Sequence, residues 1–318
     1  MGYHLRIESR DKASFVTTRT KNSELWFANN AKVEELALAR LAKYTDKYRV
    51  RLYAFALEGS HYHQAAHFPL LNRSDFARDF NSTLACGVNR LTPNYPGGRL
   101  WARRYSGEII AGDPDIERQF FYTVLQPVKD GLVPKISEYP FYNCFHDAVC
   151  GIKRKFKLVN WTKYNAARRY DPNVPIKDYI EVYTLKYERL PGYEHLSQHE
   201  YRVLMEKKLE EYRLEIIRKR EAEGKFTFVG RAALLKMIPG TPAKSPKVSN
   251  STSHRPRVLS ICNQRRADTK AWYFNTRRKH KEASHRYLAG DLMVEFPPGT
   301  YRPPLWLAMI PAGPFSVL

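Results

Sequence analysis

The most restrictive stretch of the chain is residues 48–68. Residues 48–57 (YRVRLYAFAL) alternate and then turn apolar, the pattern of a strand covered on both faces. Glu58-Gly59-Ser60 forms a tight turn, and residues 61–68 read as the returning antiparallel strand. An isolated hairpin is marginal in water, so apolar neighbours must back it. Residues 14–20 (SFVTTRT) are rich in β-branched side chains and read as a first strand. Val33, Leu36, Ala37, Leu41 and Tyr44 recur at helical spacing within 29–47, and Phe76, Phe80, Leu84 and Val88 do so within 74–91. Residues 99–110 (RLWARRYSGEII) read as another strand. At Asp113-Pro114 a helix starts, with Asp as cap; it runs towards Leu125 and meets Pro127 with Gly131 beyond.

The resulting order, β-α-β-β-α-β plus a helix, defines an α+β class with a ferredoxin-like split βαβ sheet. Beyond residue 150 the pattern turns mainly helical. Ser197-Gln-His-Glu200 is a capping box opening a helix with Tyr201, Met205, Leu209, Tyr212 and Ile216 on one face, and Gly224 is a stop. Residues 239–257 are Pro/Ser-rich and basic, the composition of an extended linker. A last helix spans about 268–289, and a Pro-rich tail follows Gly290. The division is therefore 1–150 as a catalytic domain, 151–238 as a helical basic accessory region, 239–257 as a linker, and 258–318 as a basic helix with its tail.

Charge narrows the partner. The 318 residues carry 53 Lys plus Arg against 32 Asp plus Glu, a net of +21. Residues 1–150 contribute 20 and 16, a net of +4, which leaves +17 for residues 151–318. Such an excess suits a polyanion, nucleic acid above all, with the grip in the second half. The four cysteines form no C-x-x-C pair, so a zinc ribbon or disulfide framework is not indicated. No signal-peptide-like or membrane-length apolar run occurs, and the expectation is a cytoplasmic, nucleoid-associated protein.

Two constellations can carry chemistry. His61 and His63, two apart on a strand, point to one face and can grip one divalent metal; two histidines on a solvated strand face give the same pattern. Tyr122 and Gln126, four apart, share a helix face. A phenol attacks phosphate only where a metal polarises the phosphorus centre. Two imidazoles and an amide oxygen leave coordination sites for water and phosphate and suit Mg²⁺ or Mn²⁺. Tyr122 is otherwise a packed aromatic beside Phe120 and Phe121.

These residues resemble the single-tyrosine HUH transposases, specifically the REP-associated tyrosine transposases. That family places a His-hydrophobic-His motif after a hairpin turn, matched by ALEGSHYHQAAHF at 56–68. It then carries a helical Tyr, a polar ligand four residues on, Pro-Val and Gly-Leu-Val, matched by Tyr122, Gln126, Pro127-Val128 and Gly131-Leu132-Val133. The likeness covers most of 10–145 and, loosely, the last fifty residues, as in a long-chain branch. It implies that His61, His63 and Gln126 hold the metal. Tyr122 then attacks single-stranded DNA beside an imperfect hairpin of a palindromic repeat, leaving a 5′-phosphotyrosine and a free 3′-hydroxyl. The protein would be a monomer or homodimer. Arg103, Arg104 and Tyr105, with Arg277, Arg278 and Lys279, are the expected DNA contacts. Tyr62 is bulkier than the family's usual aliphatic, Gln126 replaces a frequent Asn, and Pro127 must kink the helix near Gln126.

Two other classes remain. A rolling-circle initiator or relaxase would use Tyr-x-x-Lys, and Tyr44 or Tyr183 fit that spacing, or an early tyrosine such as Tyr3. A nucleic-acid-binding protein that does not cut would need the basic surface alone. His195 and His199, also four apart, sit at a helix start whose Glu200 serves the capping box.

Overall fold

A computed structural model describes residues 5–243, 246 and 256–304; Tyr3, most of the 239–257 segment and the end of the Pro-rich tail lie outside the described residues. The fold is mixed α/β, with a multi-stranded sheet and several helices. The first half runs β1 (Ser14–Arg19), α1 (Ala31–Lys47), β2 (Arg51–Glu58), β3 (His61–His67), α2 (Arg73–Leu91), β4 (Ser106–Ile110), α3 (Asp113–Val124), α4 (Gln126–Lys129) and α5 (Phe145–Cys150). The second runs β5 (Arg154–Val159), α6 (Trp161–Arg168), β6 (Ile180–Leu185), α7 (Gln198–Ala222), α8 (Arg231–Leu235), β7 (Val258–Leu259) and α9 (Asn263–Leu288).

The main sheet has the order β2-β3-β1-β4-β7, antiparallel throughout except for the parallel β4–β7 pair. β2 and β3 meet at Gly59-Ser60, where a Cβ on Gly59 would stand 3.0 Å from the Leu25 side chain, so the turn accepts no larger residue without movement. Side chains alternate across β3. Tyr62 faces α2, its ring 5.3 Å from Phe80, whereas His63 faces α3 and Tyr122. Tyr62 is fully buried, and its hydroxyl accepts from Thr18 and donates to Asn81. The larger aromatic is thus absorbed by the core. Phe55, Phe76 and Phe80 are also fully buried, each contributing roughly 1.5–3 kcal/mol.

Four expectations need correction. The strand expected over 99–110 forms only from Ser106; Trp101 makes an isolated bridge to Thr20, and the chain bends before Tyr105. Leu100 and Tyr105 are both buried and wall one cavity, and their odd spacing cannot put both on one face of a regular strand. The α3 cap is Gly112, with Asp113 already helical in the first turn, where its carboxylate still meets the positive end of the helix. Residues 151–238 are not wholly helical. β5 and β6 form an antiparallel ribbon, because RKFKLV alternates basic with apolar and IEVYTL is rich in β-branched residues. The last helix begins at Asn263, since no Gly or Pro interrupts the residues before 268.

The capping box forms as expected, Ser197 and Glu200 exchanging side-chain bonds with each other's backbone N–H. α7 packs into the core rather than beside it. Tyr201 and Met205 are buried in the cluster that holds Phe15 and Phe55, and Tyr212 stacks on Phe121 at 4.6 Å. The described ends of the 239–257 segment are tied to the core: Leu25 N–H donates to the Thr241 carbonyl, and Ile109 N–H to that of Arg257.

Candidate active site and metal centre

The site lies where the β2–β3 hairpin faces α3 and α4. His61 and His63 are nearly buried, their ring centroids 4.8 Å apart and perpendicular. Register fixes them: His63 lies between Thr17 and Ala56, and His61 between Arg19 and Glu58. Thr17 Oγ1 is 3.0 Å from His63 Nδ1, and Ser60 Oγ is 3.3 Å from His61 Nδ1. With the protons on Nδ1 those hydroxyls accept them, and each Nε2 keeps a lone pair for a metal.

Tyr122 stands beside His63. Their centroids are 5.8 Å apart, edge to face, and Phe15 stacks on His63 at 5.3 Å while meeting Tyr122 at 5.6 Å. Tyr122 is half-buried, and the Lys129 ammonium sits 4.1 Å from its ring centroid. Pro127 has no N–H and would clash with the carbonyl four residues before it; the chain breaks at Leu125, leaving α4 as a separate turn. Gln126 opens that turn and is buried, and its Nε2 has no hydrogen-bond partner among the described residues. Leaving such a group unsatisfied costs about 1–3 kcal/mol, and rotating the amide presents Oε1 instead.

Sequence reasoning missed two carboxylates. Glu58, His61 and Asp130 bring one ligand atom each within 4.8 Å of one another, and Glu58 Oε2 lies 3.7 Å from His61 Nε2. Glu58 was legible, because in the drawn hairpin it is the residue directly opposite His61. Asp130 was not, since the α4 turn brings it back. Glu58 is buried and Asp130 exposed. The neighbouring Tyr139 phenol is held well above its ordinary range, by burial first and then by Glu58, Glu34 and Asp130. A buried imidazole with two converging carboxylates fits a divalent cation with hard-ligand preferences. His63 is not a member of that three-residue set; its ring faces Phe15 and Tyr122.

The remaining site expectations are scattered. Arg103 and Arg104 are exposed, and Tyr105 is buried with its hydroxyl on Ser74; all three wall a cavity on the α2 side of the sheet. Arg277, Arg278 and Lys279 are exposed on α9, where Arg278 bonds Glu282. Tyr44 is buried in α1, and Tyr183 donates to Glu181 at 2.5 Å. No helix among the described residues is long and apolar enough to cross a membrane.

No family model and no curated protein matches the chain. Among solved structures, the chain is similar to one described as a REP-associated tyrosine transposase bound to a REP hairpin. The two are 19% identical with a TM-score of 0.40, over 47% of this chain and 86% of that one.

Proposed function

We propose that the chain is a metal-dependent single-strand DNA endonuclease and strand transferase of the HUH single-tyrosine transposase type, with Tyr122 as nucleophile. The observation that carries this reading is the meeting of Tyr122 with His63 and His61 on one sheet face, beside a converging Glu58, His61 and Asp130. The β-α-β-β-α-β order and the β2-β3-β1-β4 antiparallel sheet support a ferredoxin-like core as its scaffold. Residues 1–150 would supply the chemistry, and the basic residues of 151–238 and 258–318 the hold on DNA.

His61, His63 and Gln126 would hold Mg²⁺ or Mn²⁺, with Glu58 and Asp130 beside them. Such an ion, when bound, draws electron density from the scissile phosphate and neutralises charge there. Tyr122 Oη attacks phosphorus and the P–O3′ bond breaks, so the segment on the 3′ side of the break is held through its 5′-phosphate as phosphotyrosine, and the upstream segment leaves with a 3′-hydroxyl. The phenolic proton is balanced by the one gained at the 3′-hydroxyl. Because a phosphoester replaces a phosphoester, a second 3′-hydroxyl can reverse the step and join new ends. Phe15 fixes the His63 ring plane, and Lys129 places positive charge beside the nucleophile. The substrate is single-stranded DNA next to a hairpin of a palindromic repeat. Tyr44 and Tyr183, one buried and one bonded to a carboxylate, suit the initiator reading poorly.

The test incubates the protein with Mg²⁺ or Mn²⁺ and labelled single-stranded hairpins, followed by a denaturing gel. A covalent protein–DNA band that vanishes in Tyr122→Phe is expected. A band that persists in that variant moves the nucleophile elsewhere, and tight binding without any band leaves a protein that holds DNA and does not cut.

A further inference from the structure

A cavity of about 840 Å³ opens on the face of the sheet turned away from Tyr122. That volume falls within the roughly 300–1,000 Å³ of small-ligand sites. Ala77, Leu100 and Trp101 give it an apolar floor. Its walls carry five arginines, Arg6, Arg78, Arg99, Arg103 and Arg104, and among the described residues no Asp or Glu lines it.

The back-to-back placement follows from strand alternation. Trp101 meets the Tyr62 ring edge-on at 6.0 Å and donates its indole N–H to the Asn81 carbonyl, and the Asn81 side chain accepts from the Tyr62 hydroxyl. Tyr62 sits between His61 and His63, whose rings face the other way. Strand β3 and the buried Tyr62 side chain on its far face separate the cavity from the candidate active site.

Its chemistry selects an occupant. Arg78 is already neutralised by Asp75 and Asp79. Arg6 lies over the Tyr105 ring at 3.9 Å; burial foremost, with Arg104 and Arg73 adding to it against the opposing pull of Tyr105, lowers its guanidinium from the ordinary value. Arg99 and Arg103 are exposed at the mouth. Exposed guanidinium groups at the mouth of a cavity with no Asp or Glu among its described lining residues suit an anion. The apolar floor and indole edge call for a flat, uncharged body. A nucleotide combines the two.

We propose that this cavity holds one unpaired nucleotide, its base on the floor beside Trp101 and its phosphate on Arg99 and Arg103. The source of that nucleotide rests on the proposed function: it belongs to the DNA strand whose scissile phosphate lies at Tyr122. A free mononucleotide shares the same chemistry, so the experiment separates the two. The cavity thereby reads a position in the substrate distinct from the cleavage point, on the opposite side of the sheet.

The experiment places 2-aminopurine at single unpaired positions of a hairpin, in the overhang, the loop or a one-base bulge. Its fluorescence is followed on adding the full chain in EDTA; adduct formation with Mn²⁺ is scored in parallel. One position is expected to be quenched at least about twofold. Arg99→Ala/Arg103→Ala, a change confined to exposed side chains, should relieve that quenching and weaken binding about tenfold. If the hairpin binds and Tyr122 forms its adduct while no position is quenched and the double variant binds equally, the cavity proposal falls and the nucleophile stands. If no hairpin gives an adduct but 2-aminopurine riboside monophosphate is quenched by the native chain and not by the variant, the pocket is upheld with a free nucleotide and the strand reading falls. Absence of quenching with both probes overturns the proposal.

Discussion

A single buried amide carries a sharp expectation. Gln126 Nε2 is unsatisfied among the described residues, so replacing the side chain by an apolar one of similar size removes a cost without opening a cavity. Gln126→Leu should raise stability by about 1 kcal/mol, a shift of a few degrees in Tm by thermal melting, while adduct yield falls at least about tenfold. Lost stability together with unchanged yield would mean that the amide is structural. Asp130, exposed and near His61 and Glu58, allows a cleaner test of the metal set. Asp130→Asn should weaken Mn²⁺ binding, read by titration calorimetry, about tenfold with an unaltered Tm. Equal affinity in the variant would exclude Asp130 from the ligand shell.

At the scale of elements, the break between α3 and α4 is a local backbone effect with consequences for the site. Pro127 stops the helix, and the separate turn that Gln126 opens brings Asp130 back to the hairpin. Pro127→Ala removes the clash and lets the helix run on, so adduct yield should drop while helix content by circular dichroism holds or rises. The β5–β6 ribbon has its own pH signature. Hydrogen bonds from Tyr183 first, then from Asn160 and Lys163, hold the Glu181 carboxyl down at about 2. A folded value below the unfolded one stabilises above the ordinary carboxylate range and is lost as pH falls through about 2. Its partner Tyr183 is pushed up to about 12, by burial first and then by Glu181, so that contribution is present at neutral pH and lost as pH rises from about 10 through 12. Glu181→Gln should flatten the acid limb of a urea-melt stability profile; an identical profile would sink this account.

Over the whole molecule, charge and core are distributed differently. Residues 151–318 carry a net +17, yet their α7 shares the first half's core, through Tyr201, Met205 and the Phe121–Tyr212 stack. β7 pairs with the edge strand β4, and Tyr273 of α9 donates its hydroxyl to the Leu5 carbonyl, which seats the basic helix against the sheet edge. If α9 lies along the DNA path, neutralising Arg277, Arg278 and Lys279 together should reduce the slope of log affinity against log salt by about 2, measured by anisotropy with a labelled hairpin. An unchanged slope would place α9 off that path.

Much of this was determined by the sequence alone, for a physical reason: periods of 2 and 3.6 act between residues a few positions apart. They were enough for the hairpin, α1, α2 and the capping box, and for the shared faces of His61 with His63. They failed over 99–110, where an odd spacing between buried Leu100 and Tyr105 bends the strand, and at the ribbon, whose two short runs lie in a region expected to be mainly helical. What only the tertiary structure decided is convergence: Asp130 returning to His61, Tyr212 entering the core, β7 joining β4, and arginines from separate segments gathering around Trp101. Each depends on which faces pack together across tens of residues, and pairing at that range leaves no periodic trace in the chain.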